Sequence, residues 1–378
     1  MPIKVLITGG AGFIGKWLIE KIPTEFEVIV LDSLDPQVHT KSQDFAPELK
    51  ARAQCIKADI QDIANYKEMI EGTDVVVHLV AQTGTGQSMY EISRYVQDNA
   101  NGTAKLLELI SSLNHKPRRV VLSSSRAVYG DGAYTDGQSV LYPKGRNLEN
   151  LQRGIWEVCS PEGEILSPLP MRETYLTKPT SVYGLTKLWQ EQLLEIYCES
   201  QAIDLVTLRF QNVYGPKQEL GNPYTGIIGI FTNAISQGTA LELFEDGLVT
   251  RDFVFVGDIA EAVVKSMTAE KTLNTTINVG SGLAVTLIDV VETIAQLLNK
   301  KADYKISGRF RIGDIRHAVA DMSHYETQLG KWQPTSLKDG LSQYLDWYLH
   351  QEPLKPEVLQ ESLKEMERKG LLQTKKTS

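Results

Sequence analysis

The chain has 378 residues, of which 42% are hydrophobic and 23% charged, and its formal net charge is −8. That length is sufficient for a large domain plus a smaller lobe, and the negative charge argues against partners such as nucleic acids or anionic membranes. Three cysteines without C-x-x-C spacing indicate neither a disulfide framework nor a metal site, and no apolar stretch reaches the ~20 residues that span a bilayer. We therefore expect a cytoplasmic protein that acts on a small molecule.

The first predicted element is a strand, Lys4 to Thr8, followed by a glycine-rich turn and an amphipathic helix. The glycines follow a G-x-x-G-x-x-G pattern in the stretch VLITGGAGFIGKWLIE, residues 5 to 20. Residues without a Cβ let the backbone approach a pyrophosphate, and the N-terminus of the following helix attracts an anion. We assign this turn to a dinucleotide site formed by Gly9, Gly12, Phe13, Ile14 and Gly15.

The second predicted strand, Glu27 to Asp32, ends in an acid at about the distance from the glycine turn that is typical of a ribose-binding carboxylate. Such a carboxylate accepts hydrogen bonds from both ribose hydroxyls and repels a 2′-phosphate. No arginine follows Asp32 closely, so the cofactor predicted here is NAD rather than NADP.

Further strand patterns alternate with helix-like segments, of which the clearest are 95–114 and 182–198. This alternation predicts an α/β fold, a doubly wound parallel sheet of the Rossmann type, in which ligands bind at the carboxyl ends of the strands. The further strands are expected at 54–57, 74–80, 119–124, 205–210 and 276–279.

The pattern divides the chain into regions. We expect a mainly NAD-binding domain over 1–210, interrupted by an insert rich in glycine, proline and polar residues at about 131–178. A smaller C-terminal substrate-binding lobe with one returning Rossmann segment is expected over 211–352. Residues 353–378 are expected to form a charged helix and tail exposed to solvent.

The segment SVYGLTK places Tyr183 and Lys187 four residues apart, on one face of a predicted helix. A nearby ammonium group favours the phenolate, so we expect Lys187 to lower the pKa of Tyr183 and make it a usable base. Ser125 follows the strand in VVLSSSRAVYG, where its hydroxyl could hold a substrate oxygen. These three residues, beside NAD, are suited to removing a hydroxyl proton while a hydride leaves the same carbon.

Taken together, these motifs resemble the extended short-chain dehydrogenase/reductase family, specifically its nucleotide-sugar epimerases and dehydratases. The resemblance covers most of the chain and also includes HLVAQ, RFQNVYGP, RDFVFVGDIA and NVGSG. It implies that further cofactor contacts come from Asp59, Ile60, Leu79, Ala81, Asn99 and Lys187. It implies substrate contacts from Thr83, Ser88, Arg126, Asn212 and Arg251, and we add Arg311 as a second clamp on the diphosphate.

The dehydratases of this family carry an acid pair directly after the catalytic hydroxyl residue, where this chain has Arg126 and Ala127. Without that acid, the expected reaction is 4-epimerisation: C4 is oxidised, the keto sugar turns, and hydride returns to the other face. The long insert and the segments at 83–99 and 313–317 resemble a subgroup that includes dTDP-L-rhamnose 4-epimerases, although that subgroup carries cysteine pairs in the insert and this chain has only Cys159. No structural metal is therefore expected.

Several alternatives remain open at this stage. The substrate could be UDP-glucose or UDP-N-acetylglucosamine, the reaction could be that of a nucleotide-sugar 4-ketoreductase or dehydrogenase, and a non-catalytic NAD-binding sensor is a remote further case. The family resemblance also implies a homodimer that pairs through helices 95–114 and 182–198.

Overall fold

A computed structural model describes residues 2–40, 43–220, 226–352, 364–365 and 367–375. Its centre is a seven-stranded parallel sheet in the order β14-β9-β5-β4-β1-β2-β3. The strand order reverses between β1 and β4, which creates a crevice at the carboxyl ends of these two strands. The sheet strands are β1 Lys4–Thr8, β2 Glu27–Asp32, β3 Gln54–Lys57, β4 Val75–His78, β5 Arg119–Ser125, β9 Asp204–Phe210 and β14 Thr275–Val279.

The central strands are runs of β-branched and aliphatic residues because helices cover both faces of the sheet. Leu6 and Val76 contribute to the hydrophobic core on one face, whereas Val5 and Val77 contribute to the core on the other. No helix in the described ranges is long and apolar enough to cross a membrane. The helices are α1 Phe13–Lys21, α2 Pro47–Arg52, α3 Lys67–Ile70, α4 Thr85–Ser88, α5 Ile92–Tyr95, α6 Gly102–Ser112, α7 Leu148–Gln152, α8 Val182–Ser200, α9 Ile227–Gln237, α10 Val256–Thr268, α11 Leu287–Leu297, α12 Ser323–Leu329 and α13 Leu337–Tyr348.

The long helix expected at 95–114 is divided into segments. Helix α5 passes into a π-helical segment at Val96–Asn101, and regular α-helix begins only at α6. π-Helical turns are frequent at functional sites because they change which side chains face a cleft. Here the π-helical segment turns the buried Asn99 toward the loop after β4.

The C-terminal lobe has a separate apolar core, built around α9, α11 and α13. Its short strands pair two by two, and the pairs β10·β13 and β12·β15 carry residues toward the end of the large sheet where β1 and β4 finish. The lobe strands are β10 Asn212–Tyr214, β11 Leu241–Leu243, β12 Thr250–Arg251, β13 Phe253–Phe255, β15 Val285–Thr286, β16 Tyr304–Ile306 and β17 Arg309–Arg311.

The segment predicted as an insert contains regular structure. Its strands β6 (Tyr134–Thr135), β7 (Val140–Leu141) and β8 (Ser167–Pro168) form a small antiparallel sheet with β6 in the middle. Tyr134 packs with Val158 in a small apolar cluster. Arg146 and Glu157 of the insert bond to Asp314 and Arg316, so the insert is folded against the rest of the chain.

The expectation of a solvent-exposed C-terminal tail is wrong for the part that the structure describes. Strand β18 (Leu372–Thr374) pairs antiparallel with β17 of the lobe, and Leu372 is only 6% exposed. The predicted helix in this region falls largely on residues outside the described ranges. An edge strand offers unpaired N–H and C=O groups to any neighbouring segment, and the charge pattern of the tail gave no sign of this pairing.

Candidate active site

The glycine turn lies at the carboxyl end of β1, directly before α1. Gly9 has a φ of +73°, and a Cβ on it would lie 2.8 Å from the backbone nitrogen of Val80. A Cβ on Gly15 would lie 2.3 Å from the carbonyl oxygen of Gly10, so both positions require glycine. The turn therefore brings the N-terminus of α1 close to the loop after β4 and opens it toward the crevice.

The crevice encloses a volume of about 340 Å³. Ten of the predicted cofactor residues line it, and the predicted substrate residue Thr83 lies on the same wall. Among the described residues of that wall there is no lysine or arginine, which agrees with NAD rather than a 2′-phosphorylated cofactor. The ten are Gly9, Gly12, Phe13, Ile14, Gly15, Asp32, Asp59, Ile60, Leu79 and Ala81.

Asp32 is 7% exposed and its carboxylate is held in place by the backbone. Oδ2 accepts a hydrogen bond from the N–H of Ala11 at 3.0 Å, and Oδ1 accepts one from Leu34 at 2.9 Å. A carboxylate fixed in this way at the end of β2 is preorganised to accept the ribose hydroxyls of a dinucleotide. The residues present therefore fit NAD.

Two predicted contact residues lie behind the cleft instead of on its wall. Asn99 is fully buried: its Oδ1 accepts from the N–H of Gln82 at 2.7 Å, and its Nδ2 donates to Thr186 Oγ1 at 2.9 Å. Ser88 is also fully buried, and its Oγ donates to the carbonyl of Thr85 at 2.7 Å. Both side chains bond to neighbouring groups of the protein, so in this structure they support the wall from behind, and their direct contact with a ligand stays a prediction.

The serine and tyrosine predicted to be catalytic meet at the end of β5. Ser125 is the last residue of that strand, and its hydroxyl is hydrogen-bonded to Tyr183 in the first turn of α8. The ring of Tyr95 stands edge-on to the Tyr183 ring, with centroids 6.4 Å apart. Packing and hydrogen bonding thus fix the phenol beside the serine hydroxyl.

Burial changes the electrostatics that we expected for this pair. Burial raises the pKa of Tyr183, and the Ser125 hydrogen bond and the Arg126 charge oppose that rise. Burial also lowers the pKa of Lys187 to about 7, against the effect of Glu191. The prediction that Lys187 lowers the pKa of Tyr183 is therefore wrong for the protein alone, because burial raises this pKa and the cation that opposes the rise is Arg126.

A buried ion pair behind the catalytic residues was missed from the sequence. Glu191 accepts two hydrogen bonds from Arg209, from Nε at 3.0 Å and from Nη2 at 2.7 Å, and also accepts one from the Ser124 hydroxyl. Arg209 in turn donates to the hydroxyl of Tyr129 at 2.9 Å. The network ties α8 to β5 and β9, and the signal in the sequence was a glutamate four residues after Lys187.

On the lobe side, arginines converge on one acid. Arg251 lies on β12 and its Nη2 is 2.9 Å from Asp314 Oδ1. Arg311 lies on β17 over the ring of Phe244, 5.2 Å from its centroid. The charge of Asp314 also acts on Arg126, whose Nη2 donates to the carbonyl of Gly130 at 2.8 Å.

Unpartnered polar atoms accompany these arginines. Arg311 Nε is buried without a hydrogen-bond partner, and so is Oδ1 of Asn212. Buried polar atoms are normally paired, so both atoms are available to a ligand. The structure therefore gathers the predicted substrate residues Arg126, Arg251 and Arg311 around Asp314 and places Asn212 on the neighbouring strand pair.

No group of three or more His, Cys, Asp or Glu side chains within the described ranges is arranged to hold a metal ion. The two histidines in the motifs are structural partners. His78 is fully buried, with its ring nitrogens 2.7 Å from Thr8 Oγ1 and 2.9 Å from Thr103 Oγ1, and burial lowers its pKa to about 3. His317 lies 2.8 Å from Thr250 Oγ1.

A doubly wound sheet with a dinucleotide crevice and a Ser-Tyr-Lys group at its edge defines a class of NAD-dependent enzymes that act on hydroxyl carbons. The sequence model of the NAD dependent epimerase/dehydratase family matches residues 5–147 and 161–280. The chain belongs to this family. The resemblance stated from the motifs, the fold class and the NAD cofactor are thereby confirmed.

Individual relatives agree with this assignment. The chain is 36% identical over 351 residues to a dTDP-L-rhamnose 4-epimerase of Burkholderia thailandensis, covering 91% of this chain and 94% of that protein. A UDP-N-acetylglucosamine 4-epimerase from Methanobrevibacter ruminantium, solved with UDP-N-acetylmuramic acid, has a TM-score of 0.73 at 27% identity, covering 93% of this chain and 100% of that one. A Thermus thermophilus UDP-glucose 4-epimerase solved with NAD has a TM-score of 0.72 at 26% identity, with coverages of 93% and 100%.

Proposed function

We propose that this chain is an NAD-dependent 4-epimerase of a nucleotide diphosphate sugar. The observation that carries the proposal is the hydrogen-bonded pair of Ser125 and Tyr183 beside the dinucleotide crevice, followed by a cation instead of an acid at position 126. Bound NAD supplies the acceptor and later the donor of the hydride. Because the acid needed to eliminate water is missing after Ser125, oxidation followed by reduction of one carbon is the reaction that remains.

In this proposal Tyr183 takes the proton from the C4 hydroxyl and gives it back after the keto sugar has turned. The Ser125 hydroxyl forms hydrogen bonds with both the C4 oxygen and the Tyr183 phenol, so it positions the two groups for proton transfer. Lys187 holds the nicotinamide ribose. With a pKa of about 7 it carries a positive charge only part of the time at neutral pH, so its charge is sensitive to the cofactor placed against it.

The substrate that we propose is dTDP-L-rhamnose or a related deoxysugar. Support comes from the 36% identity to an epimerase with that name and from the long folded insert. UDP-glucose and UDP-N-acetylglucosamine are the second candidates, because solved relatives of similar fold act on sugars of those names.

We also propose a homodimer in the cytoplasm. Helix α8 exposes a stripe of large apolar side chains at helical spacing, which in a monomer would remain in water. Sedimentation velocity should give a dimer for the wild-type protein and a monomer for Trp189→Glu; a monomeric wild type would contradict the dimer. The stripe consists of Leu185, Trp189, Leu193 and Ile196.

The three cysteines are free, as is usual in a reducing compartment such as the cytoplasm.

The test is to incubate the purified protein, with no added NAD, separately with dTDP-L-rhamnose, UDP-glucose and UDP-N-acetylglucosamine, and to follow inversion at C4 by NMR. Inversion of one sugar is expected, with turnover in Tyr183→Phe reduced by about 10²- to 10⁴-fold. Tyr197→Phe, further along the same helix, serves as the matched control and should retain activity. Net formation of NADH without inversion would support a dehydrogenase instead.

A further inference from the structure

The insert delivers an arginine to the cluster around Asp314. Arg146 is buried, with a side chain only 2% exposed, and its Nη2 donates to the carbonyl oxygen of Asp314 at 2.9 Å. The carboxylate of the same Asp314 is 2.9 Å from Nη2 of Arg251. Two arginines, one from the insert and one from the lobe, therefore hold opposite ends of one residue and lie close together.

The insert also brings two buried polar atoms without partners into this region. Nε of Arg146 has no hydrogen-bond partner, and neither does the hydroxyl of Tyr134, whose residue is 1% exposed. The charges of Asp131, Arg146 and Arg251 all act on Tyr134, which places its hydroxyl within this charged cluster. Leaving a buried donor unpaired is costly, so such atoms in a native protein indicate a ligand or an ordered water.

A neighbouring arginine shows what a purely structural site looks like here. Arg316 has a side chain 1% exposed, and all of its donor nitrogens are bonded to carboxylates. The carboxylates belong to Glu157, Glu245 and Asp246. Arg146 by contrast has one carboxylate partner, Glu245 at 2.7 Å, which it shares with Arg316.

Arginines and acids are both concentrated in this cluster. Arg126, Arg146, Arg251 and Arg311 face Asp131 and Asp314, and Glu245 is shared between Arg146 and Arg316. The buried polar atoms without partners belong to Arg146, Arg311 and Tyr134. Arginine donors bind a dianion such as a diphosphate through charge-assisted hydrogen bonds.

We propose that Arg146, supplied by the insert, is a third arginine that binds the diphosphate of the substrate together with Arg251 and Arg311, with the Tyr134 hydroxyl as an additional donor. This inference rests on the proposed function, because it names the part of a nucleotide sugar that the insert recognises. It makes the insert a component of the substrate site, present before the sugar arrives.

The test uses isothermal titration of the full-length protein with dTDP, UDP and the matching nucleosides, which lack phosphate. We expect the wild-type protein to bind one of the two nucleoside diphosphates. The Kd of Arg146→Gln for that diphosphate should be about tenfold or more above the wild-type value, whereas its Kd for the matching nucleoside should not change. Glu245 keeps Arg316 as a partner in this variant, so no buried carboxylate is left alone. Arg316→Gln is the control: we expect a lower melting temperature, because three carboxylates lose a partner, and a Kd for the diphosphate within about twofold of the wild-type value.

Arg146→Lys covers the case in which the glutamine variant does not fold. Lysine keeps the ion pair with Glu245 but has no Nε, so diphosphate binding should weaken severalfold while the melting temperature stays near that of the wild type. Unchanged diphosphate binding in either Arg146 variant, or an equal loss in Arg316→Gln, would overturn the inference. A wild-type protein that binds neither dTDP nor UDP would instead contradict the proposed function itself.

Discussion

The dinucleotide crevice and the substrate side of the cleft are built in different ways. The crevice is formed by the glycine turn and by residues that follow β2, β3 and β4, and backbone N–H groups hold its buried Asp32 carboxylate. The proposed substrate side consists of long charged side chains from the insert and the lobe that bond to one another, as Arg146 and Arg251 do to Asp314. Glycine positions without room for a Cβ tolerate few substitutions, whereas the charged side chains can be replaced one at a time.

The largest expected effect comes from the crevice. In Gly9→Ala the new Cβ would lie 2.8 Å from a backbone nitrogen at a φ of +73°, so we expect loss of NAD and a lower melting temperature. Gly72→Ala is the matched control, because it has a φ of +77° with no atom within 4 Å of the new Cβ. It should cost only the backbone strain, about 1 kcal/mol, and keep NAD. The NAD content of each variant is measured by absorbance after denaturation. Equal NAD contents in the two variants would contradict this comparison.

An intermediate effect is expected on the substrate side. Arg251→Gln removes a diphosphate donor and leaves the crevice intact, so KM should rise about 10- to 100-fold with the NAD content unchanged. Steady-state kinetics with the substrate that the NMR assay identifies would check this. Loss of NAD from Arg251→Gln would mean that the two regions are not separable in the way described.

A further expected effect concerns the pH dependence of stability and involves Lys187 on α8. Burial lowers the pKa of Lys187 to about 7, while the unfolded chain keeps the usual value near 10.5. Above pH 7 the unfolded state therefore binds more protons, so wild-type stability should rise relative to Lys187→Met as the pH increases from about 7 to 10. Urea unfolding of the NAD-free proteins at several pH values would measure the difference in the free energy of unfolding between the wild type and Lys187→Met. A difference that is independent of pH would contradict the lowered pKa of Lys187.

The same contrast explains what the sequence could predict. All seven strands of the sheet were predicted to within about two residues, and the glycine turn and Asp32 were assigned correctly to one crevice, because local patterns determine them. The Ser125 and Tyr183 pair was also expected, since both follow recognisable motifs.

What the sequence could not predict depends on tertiary contacts. The positions of Asn99 and Ser88 behind the cleft wall follow from a π-helical segment and a short turn that periodicity does not reveal. The raised pKa of Tyr183 follows from burial, and the pairing of β18 with β17 joins residues far apart in the chain. The unpartnered Nε of Arg146, beside the fully bonded Arg316, likewise depends on contacts between residues far apart in the chain.

The central claim is that one carbon loses and regains its hydride at a single site without exchange with solvent. The most direct measurement uses dTDP-L-rhamnose labelled with deuterium at C4, incubated with the purified protein without added NAD, and follows the label in the C4 epimer by NMR. The account predicts that the label remains on C4 of the inverted product. Inversion with loss of the label to water would contradict it, because the reaction would then proceed by removal of a carbon-bound proton and not by hydride transfer.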